Sequence, residues 1–313
     1  MATAPSPRYD EGKATPSLTR SSPLPELPEV EATRRAILPV FTGRRIASIT
    51  PLREDVWATD RRPPHGPLRG GEIVRRGKTL IFSLIPDGPG RSSRPFFLLS
   101  RFGMSGRWDR RPQGSRPTPH THLELLLPED GAILAWSDPR RFGRLEISPS
   151  PAESRLLAGT GPDALSLDGP SLFEIFRPLA SPLRKALTNP ALLAGIGNIY
   201  MAEILFDAGL SPFRPAGSLS LAEACRLFQS LHRILTSAIN SGGSTIHSYR
   251  QEDGSPGGYQ KFHAVYGREG SPCRRCGLPL QRTTVEARSL YYCALCQPLS
   301  APSPPLPSRC SLP

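Results

Sequence analysis

The chain has 313 residues, enough for two domains, and a formal net charge of +12 with both signs spread along its length. That balance favours a polyanionic partner such as nucleic acid over acidic ligands met by one basic tail. No apolar run approaches the ~20 residues that span a bilayer, and the N-terminus lacks the apolar stretch of a secretory signal, so a soluble intracellular protein without membrane contact is expected.

Residues 1–24 are rich in Pro, Ser and Arg without hydrophobic periodicity, and disorder is expected there and again in the Pro/Ser tail after Gln297. The pattern turns helical from Val30 to Leu38. Short alternating runs follow at Ile46 to Thr50, Glu72 to Arg75, Thr79 to Leu84, Phe96 to Ser100, His122 to Leu127, Ile133 to Trp136 and Arg144 to Ile147, separated by Gly, Pro and Asp turns. Such spacing predicts a β-sandwich or barrel over residues 25–150. The Pro/Arg stretches at Arg61 to Gly71 and Arg107 to Pro119 read as inserted surface loops. Composition shifts near Ser148, and residues 151–168 are expected to form a hinge. Helices are predicted over Ser171 to Leu179, Pro182 to Leu187, Asn198 to Ala208 and Leu221 to Asn240, within a helical domain of residues 169–262.

Before the helix at Asn198 stands Gly195-Ile196-Gly197, a tight turn whose exposed N–H groups suit a phosphate oxygen, with the Asn198 amide as a further donor. The alternative is a plain helix cap. Residues 263–297 carry Cys273, Cys276, Cys293 and Cys296 in the order C-x2-C-x16-C-x2-C. Two tight turns, each supplying two thiolates, make a closed tetrahedral site, so one structural Zn2+ is expected. Cys225 and Cys310 fall outside that pattern. Arg282 and Arg288, on the segment between the pairs, suit phosphates, although taken alone each reads more readily as a solvated surface residue.

Several strings then fall into place together. PELPEVE from Pro25 to Glu31, RRGK from Arg75 to Lys78, FGMSG from Phe102 to Gly106, SDPRRFG from Ser137 to Gly143, GIGNIY from Gly195 to Tyr200, GGSTI from Gly242 to Ile246 and VYGREGSPC from Val265 to Cys273 resemble, in order, the bacterial formamidopyrimidine-DNA glycosylases. The resemblance implies an α+β fold: an N-terminal β-sandwich, a helix–two-turns–helix domain and a C-terminal four-cysteine zinc-finger hairpin, with damaged double-stranded DNA in the cleft between them. It implies a monomer in the bacterial cytoplasm, associated with the nucleoid. It also implies removal of oxidised purines, 8-oxoguanine and formamidopyrimidines, in base excision repair, followed by strand cleavage through β,δ-elimination.

In that chemistry the amine of Pro25 attacks C1′ of the damaged nucleoside, releases the base and forms a Schiff base. A secondary amine gives an iminium that cannot lose a proton from nitrogen, so it persists as an electron sink. Glu26 would protonate the sugar ring oxygen, Lys78 would lie near the lesion phosphate, and Asn198 and Arg288 would hold the same backbone. Arg101, His120, Arg140, Arg141 and Arg184 match further DNA contacts. Met104, Arg140 and Phe142 match the side chains that fill the space left by a flipped base; ordinary core is the alternative for Met104 and Phe142, and their position in the motif favours function. Asp253, Gly254, Ser255, Pro256, Gly257, Gly258 and Tyr259 resemble the loop that covers an extruded purine. That loop, and Leu27 where the sister endonuclease VIII group has glycine, favour purines; the alternative is an oxidised-pyrimidine glycosylase of endonuclease VIII type.

Arg101 stands where the family often has histidine, Arg184 where lysine is usual, and Asn189 where aspartate is common. The leader is the larger departure. Joined to Leu24, the Pro25 nitrogen is a tertiary amide whose lone pair is delocalised, and no iminium can form. Either initiation belongs at Leu24, with methionine decoded there and then removed, or the leader is trimmed, or the protein binds lesions without cutting them. A zinc-ribbon regulator would leave PELPEVE, RRGK and SDPRRFG unexplained.

Overall fold

A computed structural model describes residues 25–64, 66–88, 94–245 and 256–299. The expectations for residues 1–24, for the tail beyond residue 299 and for Asp253, Gly254 and Ser255 lie outside the described residues.

Helix α1 (Leu27–Phe41) is longer than the periodicity predicted at both ends. Pro28 is accommodated in the first turn, where no N–H partner is needed. Pro39 falls in the last turn and faces solvent, so the carbonyl it leaves unpaired can meet water. Nine strands follow: β1 (Arg45–Ile46), β2 (Ser48–Pro51), β3 (Leu68–Arg76), β4 (Thr79–Pro86), β5 (Phe96–Arg101), β6 (Arg107–Pro112), β7 (Thr121–Leu127), β8 (Ala132–Ser137) and β9 (Arg144–Ser148). They form a five-stranded sheet, β1-β3-β4-β5-β9, and a four-stranded sheet, β2-β7-β8-β6, with antiparallel neighbours throughout.

Two stretches read as surface loops belong to this framework. Residues 107–112 are an edge strand, because Trp108 pairs with Trp136 of β8 and turns inward while the neighbouring arginines remain outside. Residues 68–71 open β3, where Leu68 and Ile73 reach the core. Leu80, Phe82 and Leu98 from one sheet meet Trp108, Leu125 and Trp136 from the other, and Val30, Ile37 and Phe41 of α1 close the end of this sandwich. Truncating one of the large aromatics to alanine would cost about 3–5 kcal/mol.

The second half packs α2 (Gly169–Phe176), α3 (Leu183–Thr188), α4 (Asn198–Ala208) and α5 (Leu221–Asn240) around another core. Leu27 belongs to that second core although it opens α1, so α1 straddles the two halves. A hairpin of β10 (Gln281–Val285) and β11 (Arg288–Tyr292) completes the described fold. The finger is docked on α4: Glu203 accepts the N–H groups of Ala264, Val265 and Tyr266 at 2.7–3.0 Å, and Arg275 donates to the carbonyls of Phe206 and Asp207. The result is an α+β protein whose zinc-finger hairpin is held by the helical half.

Candidate active site

Pro25 and Glu26 are buried at the seam between the halves. The Glu26 carboxylate crosses to α4, where Oε2 accepts from Gly197 N at 2.6 Å and Oε1 from Ile199 N at 2.9 Å. Tyr200 N approaches at 3.4 Å. These are the N–H groups that the sequence suggested for a phosphate. A helix N-terminus draws whichever acidic group is delivered to it, and here α1 delivers the Glu26 carboxyl from within the chain, so these amides are not open to a phosphate. The Asn198 amide is likewise engaged, donating to Ser289 O of β11 at 2.7 Å.

The glycines of GIGN make this approach possible. A Cβ on Gly197 would lie 2.3 Å from Glu26 Cδ, and one on Gly195, where φ is +116°, would lie 2.6 Å from Leu27 Cδ1. Leu27 N also donates to Gly195 O at 2.9 Å. The glycine motif and the PEL motif are therefore two halves of one contact.

Glu29, one turn further along α1, is buried beside Glu26. Its Oε1 accepts from Tyr200 Oη at 2.6 Å and Ser244 N at 2.7 Å, and its Oε2 accepts from Glu26 N at 2.8 Å. Ser244 Oγ lies 3.0 Å from His263 Nε2. Burial and the neighbouring Glu26 push the Glu29 carboxyl up to about 7, against the hydrogen bonds from Tyr200, Ser244 and Glu26. Burial likewise raises Glu26, opposed by Lys78 and the three amides, and it lowers His263 to about 4.

Lys78 stands in the β3–β4 turn beside Gly77, whose φ is +57°. Asp163 pins that turn, accepting Gly77 N at 2.8 Å and Arg75 Nη1 at 2.5 Å, while Arg75 also reaches Glu31 of α1. Burial draws the Lys78 ammonium below its ordinary value, against the pull of Glu26 and Glu29. A cation thus faces two carboxyls without an ion pair of its own among the described residues.

Next to the Glu26 seat a cleft is lined by Asn198, Arg288, Arg184 and Lys185. Tyr266 is hydrogen-bonded to Asn198 and pushed up to about 12 by burial and by Glu26. Sequence reasoning did not single out Tyr266, Tyr200, Glu29, Ser244 or His263 individually; all but His263 stand inside the matched strings, which was the available signal.

Across the sandwich, two loops interlock. Asp138 Oδ2 accepts Gly143 N at 2.7 Å, its other oxygen accepts Ser105 Oγ, and Ser105 Oγ in turn accepts Arg140 N at 3.0 Å. A Cβ on Gly103 would lie 2.4 Å from Gly143 N. This brings Met104, Arg140 and Phe142 onto one surface. Phe142 is 56% exposed, with the Arg140 guanidinium 5.2 Å from its ring centre, so it is not a core residue. Met104 is half-buried. His120 and Arg141 are exposed beside them, His120 O accepting Asp138 N and Arg141 pairing with Asp55 at 3.1 Å. Arg101 turns inward instead, donating to Leu156 O and to Thr79 Oγ1. Of the expected purine loop, Pro256 to Tyr259 are described: Gly257 N donates to Thr245 Oγ1 at 2.8 Å, and Tyr259 is buried against Tyr200.

The four finger cysteines bring their sulfurs within 4.8 Å of one another. Cys273 and Cys296 are 3.8 Å apart and Cys276 and Cys293 3.5 Å apart. Zinc at roughly 2.3 Å from each sulfur requires tetrahedron edges of about 3.8 Å, so the donor set fits one structural Zn2+ with no open position.

Family models match in order along the chain: the formamidopyrimidine-DNA glycosylase N-terminal domain over residues 24–145, the H2TH domain of the same enzymes over 159–250, and the zinc finger found in FPG and IleRS over 270–299. The formamidopyrimidine-DNA glycosylase of Thermus thermophilus is 43% identical over 284 residues, covering 88% of this chain and 98% of that protein. That of Gluconobacter oxydans is 40% identical over 287 residues, covering 88% and 100%. Among solved structures, MutM (Fpg) of Thermus thermophilus aligns with a TM-score of 0.76 at 41% identity, covering 88% of this chain and all of that one. A Lactococcus lactis Fpg variant bound to Fapy-dG DNA aligns at 0.77 and 30% identity, with the same coverage. A MutM complex with carbocyclic 8-oxo-G DNA aligns at 0.75 and 30%, again with the same coverage. Three domains in order, and relatives of 40% identity or more matched over nearly their whole length, establish that this chain belongs to the formamidopyrimidine-DNA glycosylase family.

Proposed function

We propose that the chain excises oxidised purines from duplex DNA in base excision repair and cuts the strand by β,δ-elimination through a Schiff base at Pro25. The observation that carries this is the seat of Glu26: a buried carboxyl beside Pro25, held by the α4 amides next to the Asn198–Arg288 cleft. Pro25 nitrogen forms the bond to C1′ as the bond to the base breaks. Glu26, raised by burial, is poised to hold a proton and give it to the ring oxygen, and to move protons again during elimination. Lys78, Asn198 and Arg288 fix the lesion phosphates, and His120, Arg141 and Arg184 belong to the wider DNA contact. Met104, Arg140 and Phe142 occupy the space of the flipped base, while the loop from Asp253 to Tyr259 covers the base itself.

The preference for purines over oxidised pyrimidines is supported by Leu27, where the sister group has glycine, and by relatives crystallised with Fapy-dG and 8-oxo-G DNA. The zinc holds the finger and takes no part in the chemistry. We assign residues 25–150 to the catalytic sandwich, 151–168 to a hinge, 169–262 to the DNA-binding helices and 263–297 to the finger. A monomer acting in the cytoplasm at the nucleoid completes the reading. Among the described residues no helix is long and apolar enough to cross a membrane.

The chemistry requires a free secondary amine at Pro25. A second reading, lesion binding without cleavage, follows from a Pro25 that stays in amide linkage to Leu24. Borohydride trapping on a duplex with 8-oxoguanine opposite cytosine separates the two, comparing the 1–313 chain with one that begins at Pro25. A covalent adduct with the shorter chain supports the enzyme. Binding without an adduct from either chain supports the lesion-binding protein.

A further inference from the structure

The tip of the finger carries an acid where a DNA-binding surface would be expected to carry none. Val285 pairs with Arg288, leaving Glu286 and Ala287 as a two-residue turn with φ of +52° and +60°. Such a turn favours Asn and Gly, and neither residue here is glycine. The turn aims the Glu286 carboxylate across 102 residues of sequence onto α3, where Oε1 lies 2.5 Å from Lys185 Nζ and Oε2 3.4 Å from Arg184 Nη1. All three residues line the cleft shared with Asn198 and Arg288. Arg184 Nε is buried there with no hydrogen-bond partner among the described residues.

A carboxylate and a phosphodiester are alike in what cations see: one negative charge spread over two oxygens. We infer that Glu286 is an internal competitor for the DNA phosphate, occupying Arg184 and Lys185 in the free protein and lowering the affinity of the cleft for any duplex. The inference rests on the reading of this cleft as the place where DNA backbone is held. Lys185 and Glu286 are about half exposed, so their ion pair is weak and readily exchanged. Glu286 therefore does not block DNA. It reduces the charge that a phosphate meets from two cations to a net of one, and so reduces the counterions released on binding. Its role is to hold back non-specific adhesion by a chain with a +12 charge, for which phosphate contact is the dominant attraction.

The test is equilibrium binding of the intact zinc-loaded protein to an undamaged duplex and to an abasic-analogue duplex, from about 0.05 to 0.2 M salt. One further phosphate neutralised steepens the log K against log salt slope by about 0.9. Glu286→Gln should bind both duplexes several-fold more tightly at the low end, and its advantage should shrink about 3.5-fold across that salt range. Glu286→Asp keeps the charge and should keep the wild-type slope. If Glu286→Gln leaves affinity and slope unchanged while Arg288→Ala weakens binding, the competitor role is wrong and the cleft assignment stands. If Glu286→Asp changes the slope as much as Glu286→Gln, turn geometry rather than charge is responsible and the inference fails. If Arg288→Ala has no effect, the cleft assignment fails and the inference with it.

Discussion

Gly197→Ala tests the contact between the PEL and GIGN motifs most directly. Gly197 has φ of −127°, which alanine adopts without strain, so the consequence is steric. The new methyl would start 2.3 Å from Glu26 Cδ and 2.5 Å from Oε1, against an ordinary contact of about 3.5–4 Å, so the carboxyl must retreat by an ångström or more. Retreat breaks the bonds from Gly197 N and Ile199 N. A hydrogen bond to a carboxyl that holds its proton contributes about 0.5–1.5 kcal/mol, giving a loss of about 1–3 kcal/mol in stability if neither is remade. The displaced acid no longer reaches the ring oxygen, and excision should fall by about 10²–10⁴-fold. Single-turnover excision from an 8-oxoguanine duplex, with the chain beginning at Pro25, measures the second effect; urea unfolding measures the first. Gly209→Ala is the control: its φ of +67° brings strain, but the nearest atom to its Cβ is 3.6 Å away. It should cost about 1 kcal/mol and leave excision intact. A folded Gly197→Ala protein with wild-type excision would refute the claim that Glu26 works from this seat.

Three further outcomes follow from the geometry. Glu29 has a folded value of about 7 against 4.5 when free, so the unfolded chain releases its proton first and stability falls as pH rises from about 4.5 to 7. Glu29→Gln should remove about 3 kcal/mol of that pH dependence, read from urea midpoints across the window; an unchanged slope would mean that the carboxyl is not held protonated. Chelating zinc should abolish amide protection in β10 and β11 and weaken DNA binding while α5 stays protected, as hydrogen exchange would report. Phe142→Ala should leave stability within the scatter of surface changes, about 0.5 kcal/mol, yet slow excision at least tenfold; a loss of several kcal/mol would place Phe142 in a core.

The helices at Asn198–Ala208 and Leu221–Asn240 were legible to the residue because their ends are marked locally, by Gly209 in the left-handed region and by the reciprocal Ser220–Glu223 cap. The strand at Arg107–Pro112 was not legible, since one tryptophan among arginines gives no alternation and only pairing with β8 makes it a strand. The site divides in the same way. PELPEVE and GIGNIY could each be recognised, but nothing local in either says that the carboxyl of one fills the amides of the other. The reading of GIGN as a phosphate site was chemically sound about the helix end and wrong about which anion occupies it. Phe142 and Met104 could not be divided between core and surface by sequence, because hydrophobicity says nothing about which side of a loop faces solvent.

The distance along the chain between the partners in this site has a consequence for how the protein is made. Glu26 waits 171 residues for Gly197, and Glu29 waits 215 for Ser244. During synthesis α1 leaves the ribosome first, and the α4 amides and Ser244 that its two acids meet across the seam follow only after most of the polypeptide has been made. An interrupted translation product therefore carries α1 without the α4 amides and Ser244 that receive its two acids. The seam between the two halves is thus completed late in synthesis, once Ser244 has been added, and this timing comes from the order of residues alone.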